Sequence, residues 1–343
     1  ARVPARRACA PLPAMKMKPA LALLVALAAC VPPSFTPIRI AQAADGAASP
    51  NAPAAAAATP VSARTLSRLL LLDVVRVGDQ RLVAAGERGH IVYSEDGGKT
   101  WLRAATPTQA TLTALAFVDA QQGWAVGHDH VILHTGDGGK SWQQQFSDIK
   151  AEAPLLDVHF ADARHGFAVG AYGAFLETRD GGASWEKRSI GDGDKHFNAI
   201  AGSDGRLFMA GEGGLLLTSA DDGQTWQDIP SPYKGSFFGM LALADHSLLI
   251  FGMRGNVFRS ADAGQTWQQI PNEGGAFLMG GSAQADGTVL LAGLRGRLLL
   301  SKDMGRSFAP LKTPSNKANA SAVALPDGGI VMVGEGGPSL VKP

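Results

Sequence analysis

Residues 94–101 read SEDGGKTW, and the same octet returns five times: TGDGGKSW from Thr135, TRDGGASW from Thr178, SADDGQTW from Ser219, SADAGQTW from Ser260 and SKDMGRSF from Ser301. Each has Ser or Thr, then Asp, Gly, a second Ser or Thr, and a closing aromatic at fixed places. The aspartates Asp96, Asp137, Asp180, Asp221, Asp262 and Asp303 are spaced by 41, 43, 41, 41 and 41 residues. That period fits a four-stranded propeller blade, and no apolar patterning of helical period accompanies it.

Ahead of each octet a glycine turn separates two apolar runs. Its leading glycines are Gly86, Gly127, Gly170, Gly211, Gly252, Gly293 and, with no octet behind it, Gly334. Turns therefore count seven blades where octets count six. The fold expected is an all-β, seven-bladed β-propeller over residues 63–343. The seventh repeat stops after its third strand, so residues near 60–67 are expected to supply its outer strand and close the ring, leaving no free edge.

The octet chemistry is local. A short carboxylate following Ser or Thr accepts hydrogen bonds from its own turn, Gly supplies a positive φ, and the aromatic packs inward. Trp101, Trp142, Trp185, Trp226 and Trp267 take the aromatic position, with Phe308 in the sixth octet. One carboxylate per blade cannot form the convergent oxygen cage that calcium requires, so these aspartates read as structural, and neither metal nor cofactor is expected.

Only 18% of residues are charged, 42 are glycine, and the net charge is +1. Such balance lacks the electrostatic footprint of a nucleic-acid binder. The two cysteines, Cys9 and Cys30, precede the repeats, so the domain has no disulfide framework or thiolate metal site. Residues 1–14 read as an upstream extension that takes no part in the fold. From Met15, MKMKPALALLVALAAC has the charged start and short apolar run of a signal peptide over 15–29. Leu27-Ala28-Ala29-Cys30 has the form of a lipobox, with Cys30 the lipidated residue; cleavage near Ala41-Gln42-Ala43 is the alternative. Residues 30–62 are an Ala/Pro-rich linker with nothing to pack. The expected location is outside the cytoplasm, periplasmic, with membrane attachment through an N-terminal lipid.

The octets are Asp boxes of the bacterial neuraminidase repeat type. Combined with Gly123-Trp124-Ala125-Val126-Gly127 and Gly166-Phe167-Ala168-Val169-Gly170, and the Gly-x-x-Gly turn that follows, the pattern over residues 65–343 resembles the photosystem II stability/assembly factor family. The resemblance implies a non-catalytic propeller, in the thylakoid lumen of photosynthetic relatives, that helps a membrane-protein complex or its subunits assemble; a monomer is expected. The second glycine of the turn is missing at Gly127-His128-Asp129-His130.

If the Asp boxes join strands three and four, the glycine turns and the loops leading into each inner strand emerge on the opposite face. That face collects Arg88, Arg254 and Arg295, the glutamates Glu87, Glu212 and Glu335, and the lead-in lysines Lys150, Lys195, Lys234 and Lys317. Rigidly held arginine suits bidentate contact with carboxylates, so this rim is the candidate surface for an acidic partner; the bland reading is that exposed turns simply carry charge. The His128-Asp129-His130 turn offers two imidazoles but lacks a third metal ligand and reads as an exposed polar turn. A sialidase-like or other glycoside hydrolase is the enzymatic alternative: among Tyr93, Tyr172 and Tyr233, only Tyr233 with Glu212 could serve as a nucleophile pair. A structural or adhesive lipoprotein is the remaining alternative.

Overall fold

The computed structural model describes residues 60–342 apart from 192 and 274. The expected signal peptide, Cys30 and the expected linker up to residue 59 lie outside the described residues. Seven antiparallel sheets are present, six of four strands and one of three. Blade one shows the plan: Leu71–Val77 innermost, then Arg81–Gly86, Ile91–Ser94 and the short outer Leu102–Arg103, each strand laddered to the next in sequence. The other inner strands are Leu112–Phe117, Leu155–Phe160, Phe197–Ser203, Phe237–Ala242, Leu278–Ala283 and Asn319–Ala324.

Every second strand is buried along its whole length or nearly so, because each blade is packed on both faces by its neighbours. Seven apolar clusters result, one per blade junction. The junction that shuts the ring packs Leu71, Val74 and Leu82 of blade one against Val323, Val331 and Val333 of blade seven.

The expected outer strand of blade seven is not formed by residues 60–67. Ala63–Leu66 is a helical turn whose first residues are capped by the Ser62 hydroxyl, which accepts from the Thr65 amide at 3.2 Å. Pro60, lacking an N–H, bridges to Leu102 of blade one, and the Val61 amide donates to the Trp101 carbonyl at 2.9 Å. Further along, the Leu69 carbonyl accepts from the amides of Gly336 and Gly337 in blade seven at 3.2 and 2.9 Å. The segment is thus a clasp across the junction, with Val61 and Leu66 set against its apolar cluster. The N-cap and the imino acid favour a turn over a ladder.

In each Asp box the carboxylate gathers its own loop. Asp96 Oδ1 accepts from the amides of Lys99 and Thr100 at 3.0 and 2.8 Å and from the Ser94 hydroxyl at 2.8 Å, while Oδ2 accepts from the Thr100 hydroxyl at 2.6 Å. Ser94 Oγ accepts from the Gly98 amide at 2.8 Å. The knot recurs around Asp137, Asp180, Asp221, Asp262 and Asp303. The hydroxyl of Ser184, Thr225 or Thr266, with its own backbone amide, holds Asp180, Asp221 and Asp262 down at about 2. Trp101 and Trp142 donate their indole N–H to box carbonyls at 3.1 Å, whereas the indole nitrogens of Trp185, Trp226 and Trp267 are buried without a partner.

Candidate functional site

The glycine turns lie on the face opposite the boxes, as the order of strands requires. A leading glycine is needed because the lead-in loop passes directly against it: a Cβ on Gly86 would lie 2.1 Å from the Leu70 carbonyl oxygen, and one on Gly127 2.1 Å from that of Thr111. In blades one to five the chain then makes one turn of 3₁₀ helix and in blades six and seven an ordinary turn, and in all seven the middle residue has a positive φ. At that tip the seven blades carry Arg88, Asp129, Tyr172, Gly213, Arg254, Arg295 and Gly336, with φ of 53°, 58°, 52°, 62°, 58°, 59° and 103°. Glycine occupies this conformation freely, while any side chain there costs about 1 kcal/mol. Five blades nevertheless display one.

Arg88, Arg254 and Arg295 are exposed, and none has a hydrogen bond or ion pair to another described residue. Lys150, Lys195, Lys234 and Lys317 are likewise exposed and outside any ion pair among the described residues. Blades five, six, seven and one are contiguous in the closed ring, so the three arginines share one arc, with Lys317 on the loop leading into blade seven.

The glutamates behave differently. Glu87 Oε1 accepts from the Leu70 amide at 3.3 Å, and Glu212 Oε2 accepts from the His196 amide at 3.4 Å and lies 3.6 Å from His196 Nε2. Both carboxylates turn back to cap the start of their own blade, which leaves the tips more basic than the sequence suggests. Glu335 is half-buried beside the clasp, paired through its backbone with Leu70.

Tyr172 is 53% exposed and its ring packs on His196 at 4.8 Å between centroids. Its position at a turn tip, equivalent to the arginines, was the signal for it in the sequence. Arg297 was also overlooked: half-buried two residues after Arg295, it donates to Asn272 Oδ1 at 3.3 Å and its Nε is buried without a partner. The His128-Asp129-His130 turn is only partly an exposed one. Asp129 is exposed, but His130 is 6% exposed, and neither of its ring nitrogens finds a partner. Burial lowers the pKa of both histidines, and among the described residues no group of three potential metal ligands exists. Tyr233 packs on Phe237 and Phe258 at 6.2 Å and makes no hydrogen bond to Glu212, while Tyr93 is 3% exposed inside blade one.

The inner strands enclose a central cavity of about 640 Å³. In its wall, Asp73 Oδ2 accepts from the Leu115 amide and Asp157 Oδ2 from the Ile200 amide, each at 2.9 Å, so that each carboxylate ties its blade to the next. Burial raises both, Asp157 to about 7, against the opposing effect of these amides.

Residues 103–154 and 144–338 match the family described as photosynthesis system II assembly factor YCF48. Among solved structures, a YCF48 bound to D1 peptide superposes with a TM-score of 0.63 at 21% identity, covering 80% of this chain and 91% of the other. YCF48 from Cyanidioschyzon merolae gives 0.63 at 18% identity, covering 83% and 98%. The WD40 propeller of Doa1 also reaches 0.63, at 12% identity, covering 78% and 91%, so these superpositions speak to the fold. No curated protein matches the chain.

Proposed function

The chain belongs to the photosynthesis system II assembly factor YCF48 family, and on that premise we propose that it is an exported, non-catalytic assembly factor that holds an acidic segment of a membrane-protein complex against its glycine-turn face. A related YCF48 has been solved with a D1 peptide bound, which supports a protein segment as the kind of ligand. The observation that carries the reading is the state of Arg88, Arg254 and Arg295: left-handed, exposed and without partners among the described residues. Glycine would relieve the backbone strain at these tips, so each arginine is displayed at an energetic cost. The planar fork of a guanidinium can grip a carboxylate through two parallel hydrogen bonds.

Export and lipidation at Cys30 complete the proposal, the tether keeping the propeller near the membrane in which its partner sits. Intact mass of the membrane-extracted protein, with and without globomycin, tests that part. For the rim, the protein is purified from its native membranes beside the variant Arg88→Glu/Arg254→Glu/Arg295→Glu. The expected result is loss of a co-purifying membrane subunit at an unchanged melting temperature. Equal recovery with both proteins would overturn the assignment.

A further inference from the structure

The central channel opens on the glycine-turn face through a ring of residues that the rim reading leaves unused. Each inner strand carries one extra residue level with its leading glycine, where the register shifts. In blades one, three, five and six these residues are Leu72, Leu156, Phe238 and Met279; all line the cavity and all are only half-buried. The residues just before them, Leu71, Leu155, Phe237 and Leu278, are 0% exposed. Bulges re-aim side chains in this way, and here four large apolar ones turn toward the opening.

The polar members of the ring are already committed. The Thr113 hydroxyl donates to the Leu155 carbonyl at 2.7 Å and the Asn198 side-chain amide to the Phe237 carbonyl at 2.7 Å. What the mouth itself offers is the apolar surface of Leu72, Leu156, Phe238 and Met279, surrounded by a cationic rim, while the channel behind it also carries polar groups, among them Arg76, Asp157 and His159. An apolar centre within a polar rim is the anatomy of a protein recognition surface, and a volume of about 640 Å³ falls in the range of binding sites.

We propose that the channel mouth is a socket for one large apolar side chain of the acidic segment whose carboxylates meet the rim. The proposal rests on the rim reading, which supplies the occupant: free cations select an acidic chain, and a chain laid across the rim can set one side chain into the opening at the ring's axis. Leu72, Leu156, Phe238 and Met279 would then determine which apolar residue is preferred, and the arginines only the charge around it.

The test uses the whole chain and fluorescein-labelled Asp/Glu-rich peptides that differ at one central residue, Phe, Leu or Ser, with affinities read by anisotropy. The Phe and Leu peptides are expected to bind about tenfold or more tightly than the Ser peptide, as burial of one such side chain implies. Met279→Ser and Leu156→Ser, each checked for an unchanged melting temperature, should erase that preference and leave the Ser peptide unaffected. Equal binding of all three peptides, weakened together by Arg254→Glu/Arg295→Glu, would overturn the socket and leave the rim standing. A Phe preference that Met279→Ser removes but charge reversal does not touch would support the socket and overturn the rim. Binding of none of the peptides would overturn both.

Discussion

The two rims of this ring are built from the same repeat and use their polar groups in opposite ways. On the Asp-box rim three carboxylates each hold two cations. Arg81 and Lys140 pair with Glu95, Arg179 and Arg188 with Glu177, Arg259 and Arg306 with Asp245, and each box carboxylate is saturated by its own loop. On the glycine-turn rim Arg88, Arg254, Arg295 and four lysines stand without partners among the described residues. A group that has satisfied its bonds has little left to offer a ligand, whereas an unpaired one has all of it. Blades of one plan thus give one rim that keeps the scaffold and one whose cations are left unpaired among the described residues.

The sharpest way to break this contrast is to reverse the charge of Arg88, Arg254 and Arg295 together. Affinity for the captured partner should fall about a hundredfold or more, by analogy with charged anchors at other interfaces, while chemical denaturation is unmoved; a large change in stability would show that these arginines serve the fold. On the other rim the opposite pattern is expected. Thr135→Val leaves the Gly139 amide, now bonded to Thr135 Oγ1 at 2.9 Å, buried without an acceptor. That should cost about 1–3 kcal/mol of unfolding free energy, measured in urea, with partner capture unaltered.

A finer test separates strain from function. Ala263 and Met304 are left-handed in their boxes at φ of 56°, where Gly97 and Gly138 serve blades one and two. Replacing Ala263 by Gly should raise stability by about 0.5–1 kcal/mol with no effect on binding, whereas Met304 packs on the cluster between blades five and six and its loss would offset the gain. Arg254→Gly should give a similar gain and lose affinity, since strain kept for a ligand is released at the ligand's expense. If Arg254→Gly bound normally, the tip would be an ordinary turn.

The smallest effect is acid sensitivity of the box rim. Asp180, Asp221, Asp262 and Asp303 are held at about 2, below the ordinary value of 3.8, so their contribution is full above about pH 4 and is lost as pH falls through 2. The melting temperature should decline over that window. In Ser184→Ala, which removes the largest cause of the lowering at Asp180, the decline should begin at higher pH.

Much of this was legible in the sequence, because it repeats. The spacing of the aspartates and the count of leading glycines gave the blade number, and strand order alone put Arg88, Arg254 and Arg295 on the face away from the boxes. What escaped depended on geometry that one repeat does not announce. A ring that needs closing predicts a strand near 60–67, yet Pro60 and the Ser62 cap favour a turn and the apolar junction suffices to shut it. Glu87 and Glu212 look like surface charge until the nearness of their own blade's first amide is known. The ring at Leu72, Leu156, Phe238 and Met279 arises from a bulge, and in sequence it reads as one more apolar residue in an apolar run.

The left-handed tips have a consequence for orientation. The scaffold is close to seven-fold symmetric, but its tips read Arg, Asp, Tyr, Gly, Arg, Arg, Gly around the circle. No rotation by a whole number of blades brings that order onto itself. A ligand turned by one blade from its best setting would set an acidic group against Asp129, or over the bare backbone of Gly213 or Gly336. The face therefore works as a dial with a single position, and a partner seated there is fixed in angle as well as in place.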